Sequence, residues 1–218
     1  MWPGTLLVVA KAPVPGLAKT RLAADLGAEV AADIAAAALL DTLDAVAAAP
    51  VSRRVVALTG DLRMACRSDE IADRLADFTV IAQRGDGFAE RLACAHEDAA
   101  APGLPVVQIG MDTPQVSPDL LAECGRALVT DAVLGLAADG GWWVLGVRDA
   151  TMAGCLRDVP MSQPDTGALT LAALRDAGLR VHLVTELADV DTVADIAEVR
   201  RVCAPTGRFA QATRMVGV

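Results

Sequence analysis

Leu6-Leu-Val-Val-Ala10 runs directly into Lys11-Ala-Pro-Val-Pro-Gly-Leu-Ala-Lys-Thr-Arg21, and this junction decides the fold. Five apolar residues are too few for the roughly 20 that a membrane span needs, and too few for a signal-peptide core. Lys11 ends the run at once, so it reads as a short buried strand. The basic stretch that follows is stiff. Pro13 and Pro15 fix their φ angles, and Gly16 permits a tight turn with close backbone approach. Three cations, Lys11, Lys19 and Arg21, lead toward a helix, an arrangement suited to a polyphosphate. GxxxxGK[ST] and GxGxxG are both absent, so the loop is neither a Walker A loop nor a dinucleotide fingerprint. The competing reading is a basic loop that simply faces water.

Working outward, short β-branched segments alternate with helical patterns. Residues 55–59, 79–82, 106–109, 132–136, 142–147 and 180–184 join 6–10 as predicted strands. Residues 28–48, 69–75, 88–99, 118–129, 167–177 and 192–202 read as helices. In the first helix, Glu29, Asp33, Asp41 and Asp44 interrupt apolar positions at helical spacing. Only Ala138-Asp-Gly-Gly141 separates two successive strands, which is hairpin chemistry. The expectation is one α/β domain over residues 1–218, a three-layer α/β/α arrangement around a mostly parallel mixed sheet. Ligands in such folds sit outside the carboxyl ends of the strands, here the loops 11–21, 83–88, 110–115, 138–141 and 185–191.

Composition narrows the function classes. With 54% hydrophobic residues and a mean hydropathy of +0.42, 218 residues can bury one sizeable core. The net charge of −9 disfavours nonspecific binding to nucleic acid or anionic membrane. Against that background both lysines of the chain, Lys11 and Lys19, sit in one loop. Lysine scarcity alone does not explain their proximity. The cysteines, Cys66, Cys94, Cys124, Cys155 and Cys203, form no CxxC pair and are odd in number. They read as buried thiols of a cytoplasmic protein, not as a disulfide framework or a zinc site.

Four other segments can carry chemistry. In Gly110-Met-Asp-Thr-Pro114, Asp112 follows a strand and is held by the proline, which suits a hard cation such as Mg²⁺ or Mn²⁺. It could equally just shape the turn. In Asp189-Val-Asp-Thr-Val-Ala-Asp-Ile196, Asp191 could add a second metal ligand, or Asp191 or Thr192 could be a helix cap. Asp139 sits in the hairpin before Trp142 and Trp143, which must point to opposite faces of their strand, so at most one faces a site. In Gln83-Arg-Gly-Asp-Gly-Phe-Ala-Glu-Arg91, Arg84 or Arg91 could meet a phosphate, or pair with acidic neighbours. His96 and His182 have no nucleophile nearby, which argues against covalent hydrolysis.

In this order, these segments resemble a bacterial family of uncharacterised transferases of the DUF2064 type, within the nucleotide-diphospho-sugar transferase superfamily. Its KAPVPGxxKTRL loop is matched at Lys11–Leu22, its QRG…ER segment at Gln83–Arg91, and its IGxDxP motif at Ile109–Pro114. Its ADDGG-aromatic stretch is matched in part at Ala137–Trp143, and its DVDTxxDI end at Asp189–Ile196. The family's paired acids before Gly-Gly are here Ala138 and Asp139. Its serine before the metal aspartate is Met111, its acid after the proline is Gln115, and its W-S-T segment reads Met161-Ser162-Gln163. These departures cluster where an acceptor would bind.

The resemblance implies the GT-A fold and a metal-dependent glycosyltransferase that uses a nucleotide-activated sugar. Lys11, Gly16, Lys19, Arg21 and Arg84 would bind the nucleotide's phosphates, and Asp112 and Asp191 would hold Mg²⁺ or Mn²⁺. Asp112 and Asp139 would be catalytic, Asp139 as the group that orients or deprotonates an acceptor hydroxyl. Trp142 and Ser162 would lie on the acceptor side. A nucleotidyltransferase that takes a triphosphate and releases pyrophosphate is the main alternative, and a non-catalytic nucleotide-binding protein the third. The expected partners are a nucleotide donor and a small-molecule acceptor, with neither nucleic acid nor membrane. A homodimer and a monomer both remain open.

Overall fold

The computed structural model describes residues 1–217. Seven strands form one sheet: β1 Trp2–Lys11, β2 Val51–Thr59, β3 Thr79–Ala82, β4 Val106–Gly110, β5 Ala132–Ala137, β6 Trp142–Val147 and β7 Val181–Leu187. Their order is β3-β2-β1-β4-β6-β5-β7. All pairs are parallel except β4–β6 and β5–β6, so the hairpin puts a single antiparallel strand into the sheet. This is the mixed sheet that the sequence predicts.

Eight α-helices follow in chain order: α1 Thr20–Leu26, α2 Ala28–Ala48, α3 Ser68–Leu75, α4 Phe88–Ala99, α5 Pro118–Ala127, α6 Thr166–Asp176, α7 Val193–Val202 and α8 Arg208–Met215. The sheet's two faces explain why β1 is apolar at consecutive positions. Leu6 and Val8 pack with Leu39, Leu43 and Ile71 on the α2–α3–α5 side. Leu7 and Val9 pack with Leu92, Ala95 and Leu174 on the α4–α6 side. A strand covered on both faces needs no polar alternation. A third cluster, around Leu22, Ile34, Ile196 and Phe209, ties α1, α2, α7 and α8 together.

The sequence reading missed α1, α8 and two 3₁₀ segments, at Leu62–Met64 and Ala150–Asp158. It also placed strand ends short at β1, β2 and β7. All five cysteines are unpaired thiols. Among the described residues no helix is long and apolar enough to cross a membrane.

The β5–β6 turn is clamped from outside. Gly167 N–H donates to the Gly140 carbonyl at 2.7 Å, and Thr166 Oγ1 donates to the Pro160 carbonyl while accepting from Gln163 N–H. Gly140 has φ +91, and a Cβ there would lie 1.7 Å from the Pro164 carbonyl oxygen. Gly140→Ala should therefore push the turn off the 160–167 loop and lower stability by about 2 kcal/mol. The urea midpoint of the variant against wild type checks this, and an unchanged midpoint would contradict the clamp.

Candidate functional site

One cleft of about 680 Å³ opens at the carboxyl ends of the strands. That size suits a nucleotide-scale ligand. Lys11, Lys19, Arg21, Asp112, Asp139, Trp142, Ser162 and Asp191 all line it. Loops from five different parts of the chain, up to 180 residues apart, thus converge on one place.

The basic loop is braced by its own bonds. Lys11 Nζ donates to the Leu17 carbonyl at 2.9 Å, and Cys66 N–H donates to the Pro13 carbonyl. Lys19 adopts a left-handed conformation (φ 45) just before α1, which turns its side chain to the carboxylates. Its Nζ lies 2.5 Å from Asp112 Oδ2 and 3.1 Å from Asp191 Oδ1. Arg21 meets the other Asp191 oxygen at 3.1 Å. Burial works against the Lys19 charge, but Asp112 and Asp191 outweigh it and hold its pKa above the usual lysine value. Burial likewise pushes Asp112 up, while the Lys19 ammonium prevails and keeps that carboxyl below its usual range.

Asp191 is not the helix cap. Thr192 is the N-cap of α7, in a capping box whose N3 residue, Asp195, accepts from Thr192 N–H at 2.6 Å and from Asp191 N–H at 3.1 Å. The Asp191 carboxylate instead lines the cleft, where Lys19 and Arg21 pair with it. Val190 is buried, while Asp189 and Asp191 on either side of it are each only partly so. One ligand oxygen each from Asp139, Asp189 and Asp191 lies within 4.8 Å of the others. Burial first, and then Asp139 and Asp191, push the Asp189 carboxyl up to about 6. The sequence reading named Asp191 and overlooked Asp189. The i, i+2 spacing of acids around a valine was the available signal.

Asp139 accepts from Gly141 N–H at 2.8 Å, which fixes the turn. Of the tryptophans, Trp143 is buried and donates through Nε1 to the Thr185 carbonyl, whereas Trp142 faces the cleft. Ser162 sits on the rim in a left-handed conformation (φ 59).

Two sequence-predicted residues are not brought to the cleft. The Arg84 guanidinium is engaged by Asp98 at 2.8 Å and Glu97 at 3.0 Å on α4, because the loop after β3 folds back along that helix. Gly16 turns the basic loop (φ +77) but does not form the cleft wall. Arg91, Gln83 and Gln108 are on the wall instead.

A mixed sheet in this order, with its site in the loops at the strands' carboxyl ends, defines the nucleotide-diphospho-sugar transferase fold. A Desulfovibrio desulfuricans G20 protein provisionally named a nucleotide-diphospho-sugar transferase superposes with a TM-score of 0.84 at 25% identity. The match covers 97% of this chain and 94% of that one. Rv0371c of Mycobacterium tuberculosis H37Rv, in complex with manganese, shares the fold at a TM-score of 0.54 and 20% identity, over 91% and 98% of the two chains. So does the 4-diphosphocytidyl-2C-methyl-D-erythritol synthase of Anaerococcus prevotii DSM 20548, at 0.59 and 12% identity, over 99% and 97%. No curated protein sequence matches the chain. The family model described as an uncharacterized protein conserved in bacteria (DUF2064) matches residues 42–163, and the chain belongs to that family.

Proposed function

We propose that this transferase moves a sugar from a nucleotide-diphospho-sugar to a small-molecule acceptor, with Mg²⁺ or Mn²⁺ as cofactor. One observation carries the reading: the only two lysines of the chain stand in the same cleft as Asp112, Asp139 and Asp191, and Asp189 joins the last two in one carboxylate cluster. Cations suited to a diphosphate and carboxylates suited to a hard divalent ion thus share one wall.

The residues fit a metal. Asp139, Asp189 and Asp191 offer three oxygens at mutual distances that one ion can span, and burial, with Asp139 and Asp191 after it, raises the proton affinity of Asp189. When bound, such an ion neutralises charge on the departing nucleoside diphosphate. Lys11 and Arg21 would bind the donor's phosphates, and Lys19 would join them when its carboxylate partners are otherwise neutralised. Asp139 is the exposed member of the trio and the one nearest in sequence to Trp142, so it is the carboxylate set to orient an acceptor hydroxyl. The D. desulfuricans protein's name supports the same class of donor.

The test is a turnover panel of nucleotide sugars and nucleoside triphosphates, with Mn²⁺ or Mg²⁺ and a range of small acceptors. Release of a nucleoside diphosphate from one nucleotide sugar is the expected result. Release of pyrophosphate from a triphosphate would replace glycosyl with nucleotidyl transfer. Binding without turnover across the panel would favour a binding protein.

A further inference from the structure

We infer that Gln108 reads the nucleobase of the donor, a role that rests on the nucleotide reading above and deepens it. Gln108 lies in β4 between Val107 and Ile109, and its cross-strand neighbours are Leu7 on β1 and Leu145 on β6. It is 1% exposed, and its Oε1 has no hydrogen-bond partner. None of those apolar neighbours can supply one. A buried amide left unpaired in the middle of a sheet is disfavoured unless something else completes it. Yet Gln108 also lines the cleft, so a ligand can reach it.

The surroundings indicate what kind of ligand. Phe88, in the first turn of α4, is 45% exposed on the cleft wall, and the Arg91 guanidinium stands 6.0 Å from its ring centre. Arg91 Nε is buried and, like Gln108 Oε1, without a partner. Gln83 is locked by donating to the Ala10 and Ala57 carbonyls at 2.8 and 2.9 Å. A flat ring, a planar cation and amides at fixed positions suit a heterocycle that stacks on its face and hydrogen-bonds at its edge. An unpaired acceptor and an unpaired donor lining one cleft ask for an edge that carries both, as nucleobases do.

The placement agrees with a bound nucleotide. The subsite lies on the α4 side of β1 and β4, while Asp191 reaches the cleft from the loop after the edge strand β7. Lys19, on the loop after β1, bridges Asp112 after β4 and Asp191 after β7, and Lys11 lines the same cleft. A nucleotide laid along the cleft would have its base on Phe88 and Gln108, its phosphates on the lysines and its metal at the aspartates.

Calorimetry with ADP, GDP, CDP and UDP in Mn²⁺, and with pyrophosphate in Mn²⁺ as the base-free probe, tests this. Wild type should prefer one base. Gln108→Leu, which fills the same space without polar atoms, should narrow the spread among the four diphosphates by about tenfold or more and leave pyrophosphate binding unchanged. Phe88→Ala, at an exposed position, should weaken all four together and spare pyrophosphate. A base preference that survives in Gln108→Leu would overturn the inference, since the amide would then be completed by a trapped water. Equal binding of all four bases by wild type would overturn it too. Failure of wild type to bind any nucleotide would instead defeat the proposed function on which it rests.

Discussion

Lys19→Met should destabilise the protein in the absence of divalent metal, and Mn²⁺ should restore most of the loss. The Lys19 side chain is only 12% exposed, and its ammonium is the cation between Asp112 and Asp191. Removing one partner of a largely buried charge pair leaves the other charges uncompensated, at a typical cost of about 3–5 kcal/mol. Asp112 and Asp191 are each about a third exposed, at 31% and 32%, so roughly 2–3 kcal/mol is the expected loss here. Asp112 then lacks a competing cation and Asp191 keeps only Arg21, so Mn²⁺ should bind the variant more tightly than wild type. Urea unfolding of both proteins, with chelator and with Mn²⁺, reads both effects. A variant as stable as wild type in chelator, with no gain from Mn²⁺, would remove Lys19 from the role of internal counter-ion. Nucleotide binding should fall in the variant even with metal present, because Lys19 is one of the two lysines available to the phosphates.

That pairing shows where sequence reasoning stops. The strand–loop–helix opening was legible because periodicity and Pro/Gly punctuation are local signals, and β3, β6, α2 and α4 fall where the pattern puts them. α8 was not legible, because what starts it is remote. The Asp41 carboxylate, on α2, accepts from Arg208 N–H and Phe209 N–H at 3.0 and 2.9 Å across 167 and 168 residues of chain. α1 is seven residues long with one buried side chain, Leu22, too short for an amphipathic pattern to register. The 3₁₀ segment at Ala150–Asp158 is held by packing of Ala153 and Leu156 with α4 residues, again a tertiary effect.

The site divides the same way. Acids and lysines at strand ends were nameable one by one, since their residue types limit their chemistry. Which of them meet was not. The sequence offers no sign that Lys19 reaches Asp112, or that Arg84 turns away to Asp98. Gln108 was hidden for a different reason. Set in an apolar run it reads as strand interior, and only the sheet register shows that nothing beside it completes its amide.

His96 should make the protein acid-sensitive, and Asp189 should mask part of that sensitivity. His96 is fully buried in α4 with both ring nitrogens unpartnered, and burial lowers its pKa from 6.5 to about 3. The unfolded chain therefore takes up a proton as pH falls through 6.5, and the folded chain does not until about 3. Stability present above pH 6.5 is lost between those values at about 1.4 kcal/mol per pH unit, or roughly 2.7 kcal/mol by pH 4.5. Asp189 works in the opposite sense. Its folded pKa is pushed up from 3.8 to about 6, so its ionisation in the cluster destabilises the fold as pH rises from 3.8 to 6. In metal-free wild type the two slopes overlap between about pH 4 and 6 and partly cancel. His96→Leu should remove the acid loss and reveal a fold that gains stability on acidification through that window. Asp189→Asn should do the converse, steepening the acid loss. His96 is in α4 and Asp189 follows the edge strand β7, and no charged group acts on both, so the double variant should be nearly flat over the same window. Urea midpoints in chelator at half-unit steps from pH 4 to 7 separate the four proteins. Parallel curves for wild type and His96→Leu would mean that His96 finds a proton partner in the folded state, and its burial would then carry no acid cost.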